Sequence, residues 1–170
     1  MTPGAPARHP AGKTQALRLL DRRGVPYQEI VFPETIHDAV GVAAYAGLPP
    51  GQVFKTLVVL AEGRALPLLI LVAGDATLDL KRAAQAVGVK RLAMASQAEA
   101  ERRTGLKVGG ISALALTHKR WPVYLDRRAE TLETFVVSAG ARGRNVRLRA
   151  ADFVAVTGAQ WIEAASIAGA

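Results

Sequence analysis

The strongest constraint on how this chain can fold is a pair of strand-like runs, Val53–Leu60 and Leu66–Ala73, with the hairpin-like connection Ala61-Glu62-Gly63-Arg64 between them. A strand with one wet face alternates apolar and polar residues, but these two are apolar on both faces. Both must therefore be covered from two sides, by helices or by closure into a barrel. Their short, glycine-containing connection makes them antiparallel neighbours. Lys55 is the one charge inside the first run. An unpaired ammonium taken out of water costs on the order of several kcal/mol, so Lys55 either snorkels to the surface along its stem or serves an anionic ligand.

Around this pair, helical and extended patterns interleave. Thr14 caps a helix that runs to Arg23, and Tyr27–Phe32 reads as a strand. Asp38 caps a second helix over Ala39–Ala46, which Gly47 and Pro49-Pro50 end. Asp79 begins a helix to Val87, Lys90–Ala95 reads as a short strand, and Ser96 caps a helix through Arg103 with Glu99 placed for a capping box. Ala113–Leu116 and Trp121–Leu125 read as extended, Arg128–Leu132 as a helical turn, and Thr134–Ser138 and Asn145–Arg149 as strands. A helix over Ala151–Thr157 and a strand near Gln160–Ile162 close the pattern. With no internal repeat and no later linker, the expectation is one α/β (mixed α+β) domain over residues 14–170. Its sheet is expected to be mixed and barrel-like, covered by helices, behind a disordered Pro-, Gly- and Ala-rich lead-in over residues 1–13.

Composition narrows the chemistry. The 170 residues include no cysteine and three widely spaced histidines, which removes disulfides, a thiol nucleophile and any metal-ligand spacing. There is no G-x-S-x-G elbow for a serine triad, and His118 sits among basic neighbours as a surface residue. Neither a metal nor another cofactor is expected. No apolar run is long enough to span a bilayer and no secretory signal is apparent, so the expectation is a cytoplasmic protein without a membrane partner.

The net charge of +8 is unevenly spread. Residues 1–80 carry seven basic and seven acidic side chains, whereas residues 81–149 carry fifteen against five. A concentrated positive field suits a polyanion, and nucleic-acid phosphate is the commonest. Arg147 and Arg149 fall on one strand face with Val146 and Leu148 on the other, so they form a ridge opposite the core. Lys119, Arg120, Arg142 and Arg144 add charge in nearby loops. Scarce aromatic residues leave few platforms for stacked bases, and nothing here reads base sequence, so DNA is not an expected partner. Gly109-Gly110-Ile111-Ser112 can be a tight turn or a backbone concavity for a phosphate or oxyanion, and Ser138-Ala139-Gly140 is a second small-residue turn.

In order along the chain, Phe54-Lys55-Thr56-Leu57, Leu78-Asp79-Leu80-Lys81, Thr104-Gly105, Val108-Gly109-Gly110-Ile111-Ser112 and Val137-Ser138-Ala139-Gly140 with Arg142-Gly143 resemble the YbaK/EbsC family. These proteins are trans-acting relatives of the prolyl-tRNA synthetase editing domain. The resemblance implies an aminoacyl-tRNA deacylase, most typically for Cys-tRNA(Pro), with the tRNA 3′ end as ligand and prolyl-tRNA synthetase as a partner. It implies that Lys55 is essential and holds phosphate or ribose of the terminal adenosine. Gly109 and Gly110 would belong to a G-x-x-x-P loop around the scissile ester. Phe32, Thr56, Ile111, Ser112, Ala113, Ser138, Gly140 and Asn145 would surround the substrate, and Lys119, Arg120, Arg142, Arg144, Arg147 and Arg149 would contact tRNA. The implied chemistry needs no protein nucleophile, because the substrate thiol, or a water helped by the tRNA 2′-hydroxyl, attacks the ester.

The sequence departs from the family pattern at Ala113, where proline is expected, at Leu114-Ala115-Leu116 in place of Leu-Gly-Gln, and at Phe32 and Asn145, where close relatives carry tyrosine and aspartate. These positions surround the amino-acid pocket, so a deacylase for alanine or serine is an alternative. A non-catalytic tRNA-binding or synthetase-associated module of the same fold is another, and a small-molecule hydrolase a third.

Overall fold

The two apolar runs form adjacent antiparallel strands, with Lys55 opposite Val72 and Thr56 opposite Leu71. The computed structural model describes residues 12–167, so the expected lead-in lies outside the described residues except for Gly12 and Lys13. In chain order the elements are α1 (Gln15–Arg22), β1 (Gln28–Val31), α2 (Ala39–Ala46), β2 (Phe54–Ala61), β3 (Leu68–Ala73), β4 (Ala76–Leu78), α3 (Leu80–Val87), β5 (Leu92–Met94), α4 (Gln97–Thr104), β6 (Val123–Asp126), β7 (Thr134–Ala141), β8 (Arg144–Arg149), α5 (Ala150–Thr157), β9 (Gln160–Ile162) and β10 (Ala165–Ile167). Short 3-10 helices lie at Pro50–Gln52, Leu114–Lys119 and Arg127–Thr131.

The described strands divide into three sheets rather than one continuous barrel-like sheet. A five-stranded sheet has the order β5-β2-β3-β6-β9, a three-stranded one β1-β8-β7, and β10 pairs with β4. The largest is mixed, since β2 is antiparallel to β3 and β5 while β6 is parallel to β3 and β9. A parallel bridge from Val53 to Val136 links it to the three-stranded sheet.

Both faces of β3 are covered, as its composition demands. On one face Leu69 and Leu71 pack in a cluster with Leu17 and Leu20 of α1, Phe135 and Phe153; on the other Leu68, Ile70 and Val72 meet Ala83 and Ala84 of α3. Each such aliphatic side chain contributes roughly 1.5–3 kcal/mol by leaving water. Phe54, Phe135 and Phe153 stack edge to face, with successive ring centroids 5.3 Å apart.

The helix starts follow the capping chemistry. Thr14, Asp38, Asp79 and Ser96 each accept a backbone N–H from three residues on. The capping box at Ser96 is only half made, because the Glu99 carboxylate accepts from Arg103 instead. Ala113–Leu116 is not extended. Ser112 Oγ accepts the Ala115 N–H and Ala113 is helical at φ −63°, so the segment coils into the 3-10 helix that packs against α1. Strands β4 and β10 are three residues each, too short for a period to show in sequence.

Asp75, after β3, receives a two-pronged hydrogen bond from Arg128, whose second nitrogen lies 2.9 Å from Oδ2. That guanidinium holds the Asp75 carboxyl below its ordinary value of 3.8. A depressed carboxyl stabilises the fold above its unfolded value and loses this contribution as pH falls through the folded one. Urea titrations of wild type and Asp75→Asn should thus differ most near neutral pH and converge below about pH 4. No helix among the described residues is long and apolar enough to cross a membrane.

Candidate functional site

Strand β5 pairs with β2 only at Val59–Ala61. Among the described residues no strand pairs with the same edge from Phe54 to Leu57, and that edge forms one wall of a cavity of about 380 Å³. The other walls come from five separate segments: His37, Asp38 and Ala39 before and at the start of α2; Met94 of β5 with Ala95 and, on α4, Gln97 and Ala100; Val108, Gly109 and Ile111; Ser138 of β7; and Asn145 of β8.

Lys55 is half-buried at the cavity, and among the described residues it makes no ion pair. Its field helps lower the Asp75 carboxyl, but Arg128 already occupies that acid. Among the described residues the ammonium is thus left without an ion-pair partner. Next to it, Thr56 Oγ1 is buried with no hydrogen-bond partner among the described residues. A buried hydroxyl without a partner costs about 1–3 kcal/mol. Thr56→Val keeps the shape and removes that cost, so it should raise the melting temperature by about 2–4 °C per kcal/mol recovered.

The two glycines do different work. Gly109 has φ +93°, and a Cβ there would lie 3.2 Å from the His37 Cβ, so only glycine lets the loop meet the segment before α2 while lining the cavity. Gly110 does not line the cavity. Its N–H donates to the Lys107 carbonyl, and a Cβ on it would lie 2.8 Å from the Ala141–Arg142 backbone. Of the two glycines, only Gly109 therefore lines the cavity. Among the described residues no cluster of His, Cys, Asp or Glu could hold a metal ion.

The aminoacyl-tRNA editing domain family matches residues 33–156, which span this cavity. The chain belongs to that family. It is 34% identical over 153 residues to EbsC of Enterococcus faecalis, a candidate Cys-tRNA(Pro)/Cys-tRNA(Cys) deacylase, covering 89% of this chain and 92% of the relative. It is 27% identical over 142 residues to ProXp-y of Escherichia coli, a multifunctional Ser/Thr-tRNA deacylase, covering 82% and 84%. A solved structure of a candidate trans-editing enzyme for prolyl-tRNA synthetase superposes with a TM-score of 0.77 at 26% identity, covering 92% and 99%. The expected kinship with EbsC and the mixed α+β fold are both borne out.

In this editing domain the cavity gathers Lys55, Thr56, Gly109, Ile111, Ser138 and Asn145 from the expected site. Phe32 packs instead in a small core with Val42, Val53 and Val136. Ser112 and Ala113 are buried behind the loop, and Gly140 forms the β7 bulge, its N–H on Ser138 Oγ at 3.1 Å. Arg144 is not a surface contact: it is 5% exposed and its Nε donates to Glu29 at 2.8 Å. Arg142 is half-buried and reaches the Val108 carbonyl. Arg147 and Arg149 do lie on the face of β8 that carries Asn145, held by Thr134 and Asp152. Lys119 lies over the Trp121 ring and Arg120 is exposed, and neither lines the cavity. His37, Asp38, Met94 and Gln97 line the cavity without any sequence signal, because two segments distant in the chain deliver them and none has ligand spacing.

Proposed function

We propose that this editing domain is a trans-acting deacylase that cleaves the ester of mischarged tRNA, with Cys-tRNA(Pro) as its first substrate. The observation that carries this reading is the half-buried Lys55 ammonium, which makes no ion pair among the described residues and lies at a largely apolar cavity that Gly109 and Asn145 also line. A phosphate or the ribose of the terminal adenosine supplies the missing partner for Lys55. Gly109 N–H stabilises the ester oxygen as it becomes negative, and Val58, Ala100, Val108 and Ile111 enclose a small side chain.

The bond-breaking step uses the substrate itself. The cysteinyl sulfur, as thiolate, bonds to the ester carbonyl carbon, the carbon–oxygen bond to the ribose breaks, and the terminal hydroxyl leaves with a proton. Water then opens the resulting thioester ring. The protein's contribution is positioning and charge stabilisation. Strand β8 carries Arg147 and Arg149 away from Asn145 at about 3.3 Å per residue, a track along which the acceptor-end backbone can lie. Prolyl-tRNA synthetase is the proposed partner and the cytoplasm the proposed compartment. The Ser/Thr-tRNA activity named for the Escherichia coli relative supports a second substrate class, because the same cavity admits a hydroxyl in place of a thiol.

The test is a panel of labelled Cys-, Ala-, Ser- and Thr-tRNA(Pro). Fastest release of cysteine supports the first assignment, faster serine or threonine release supports the second, and no release from any of them overturns the deacylase reading.

A further inference from the structure

The loop Lys107–Gly110 is anchored from three directions. Glu101 Oε2 accepts the Val108 N–H at 2.9 Å, the Lys107 carbonyl accepts the Gly110 N–H at 2.8 Å, and Arg142 Nε donates to the Val108 carbonyl at 2.8 Å. Gly110 makes the third anchor reachable, since without a Cβ its backbone lies against Ala141 and Arg142. The Val108 carbonyl and the Gly109 N–H belong to one planar trans peptide and so point in opposite directions. Gly109 tolerates either sign of φ, so nothing intrinsic to the glycine keeps that peptide from flipping.

We propose that Arg142, on the β7–β8 turn, is a positioning residue for the deacylation site and not a tRNA contact. By holding the Val108 carbonyl it keeps the Gly109 N–H turned the other way, at the cavity that Gly109 lines, and its charge polarises that peptide into a stronger donor. The Gly109 N–H has no acceptor of its own among the described residues, which leaves it available to the developing oxyanion. This inference rests on the deacylase reading for its kinetic consequence but not for its structural one.

Two measurements on the full chain test it, with Arg142→Ala and Arg142→Lys compared to wild type. In single-turnover deacylation of the best substrate in the panel, positioning predicts that kcat falls about 10- to 30-fold while KM and its salt dependence stay near wild type. A phosphate contact predicts the reverse: KM rises, the salt slope drops by about one and kcat holds, and that result overturns the proposal. In the proton–nitrogen spectrum of the substrate-free protein, the Gly109 amide should broaden or shift in both variants while the remainder of the spectrum, apart from residues near the β7–β8 turn, stays in place. An unmoved Gly109 amide also overturns it. If wild type deacylates nothing but the Gly109 amide responds, the deacylase reading fails and the tether stands.

Discussion

Lys55→Ala should lose about 10²–10³-fold in deacylation while the protein melts within a degree or two of wild type, because one charge-assisted contact to a desolvated phosphate is worth about 2–5 kcal/mol. The asymmetry follows from the ammonium's surroundings. Lys55 makes no ion pair among the described residues, and Asp75 is held by Arg128. Truncating it orphans no partner, so the fold loses only the packing of an aliphatic stem, whereas the substrate loses its anchor. Single-turnover release of labelled amino acid, read beside a melting curve, separates the two. Activity equal to wild type would remove Lys55 from the site. Equal losses of activity and stability would make it a structural residue.

Glu29→Ala should show the opposite signature. Arg144 and Glu29 have side-chain exposures of 6% and 15%, and the pair joins β8 to β1. Removing the carboxylate leaves a guanidinium buried without its counter-charge, which costs about 3–5 kcal/mol. For a domain of this size that corresponds to a melting temperature roughly 6–20 °C lower. Glu130, whose partner Arg127 is half in solvent, provides the control, and Glu130→Ala should change little. If Glu29→Ala melted like wild type, the buried pair would contribute nothing and Arg144 would be free to act elsewhere.

Much of the fold was legible because it depends on local rules. The two-faced strands β2 and β3 needed cover on both sides and have it, and four caps fell on Thr14, Asp38, Asp79 and Ser96 as their side chains dictate. Where the reading failed, a distant partner had decided the outcome. The Leu114–Lys119 segment, started by the Ala115 N–H on Ser112 Oγ, is held as a coil against α1, and β4 forms because β10 pairs with it. The same division holds at the site. Lys55 stood out as a charge in an apolar run, whereas Arg144 read as loop charge near the basic ridge until its register placed it across from β1 and beside Glu29. Strand alternation around Val146 and Leu148 already puts Arg144 on their inward face, so that error was readable in the sequence. The roles of Arg142, His37 and Gln97 were not, since each depends on what packs against it.

The unpaired edge of β2 between Phe54 and Leu57 also bears on solubility. A row of open backbone donors and acceptors on an apolar strand invites a second chain to add itself, which is how sheets aggregate. Here the edge is recessed behind cavity walls that include the segment before α2 and the Gly109 loop packed against it. A small acyl group can enter such a recess, whereas an incoming strand, with side chains on both of its faces, cannot lie flat in it. The walls that shape the cavity for a ligand thereby also keep the chain from pairing with copies of itself.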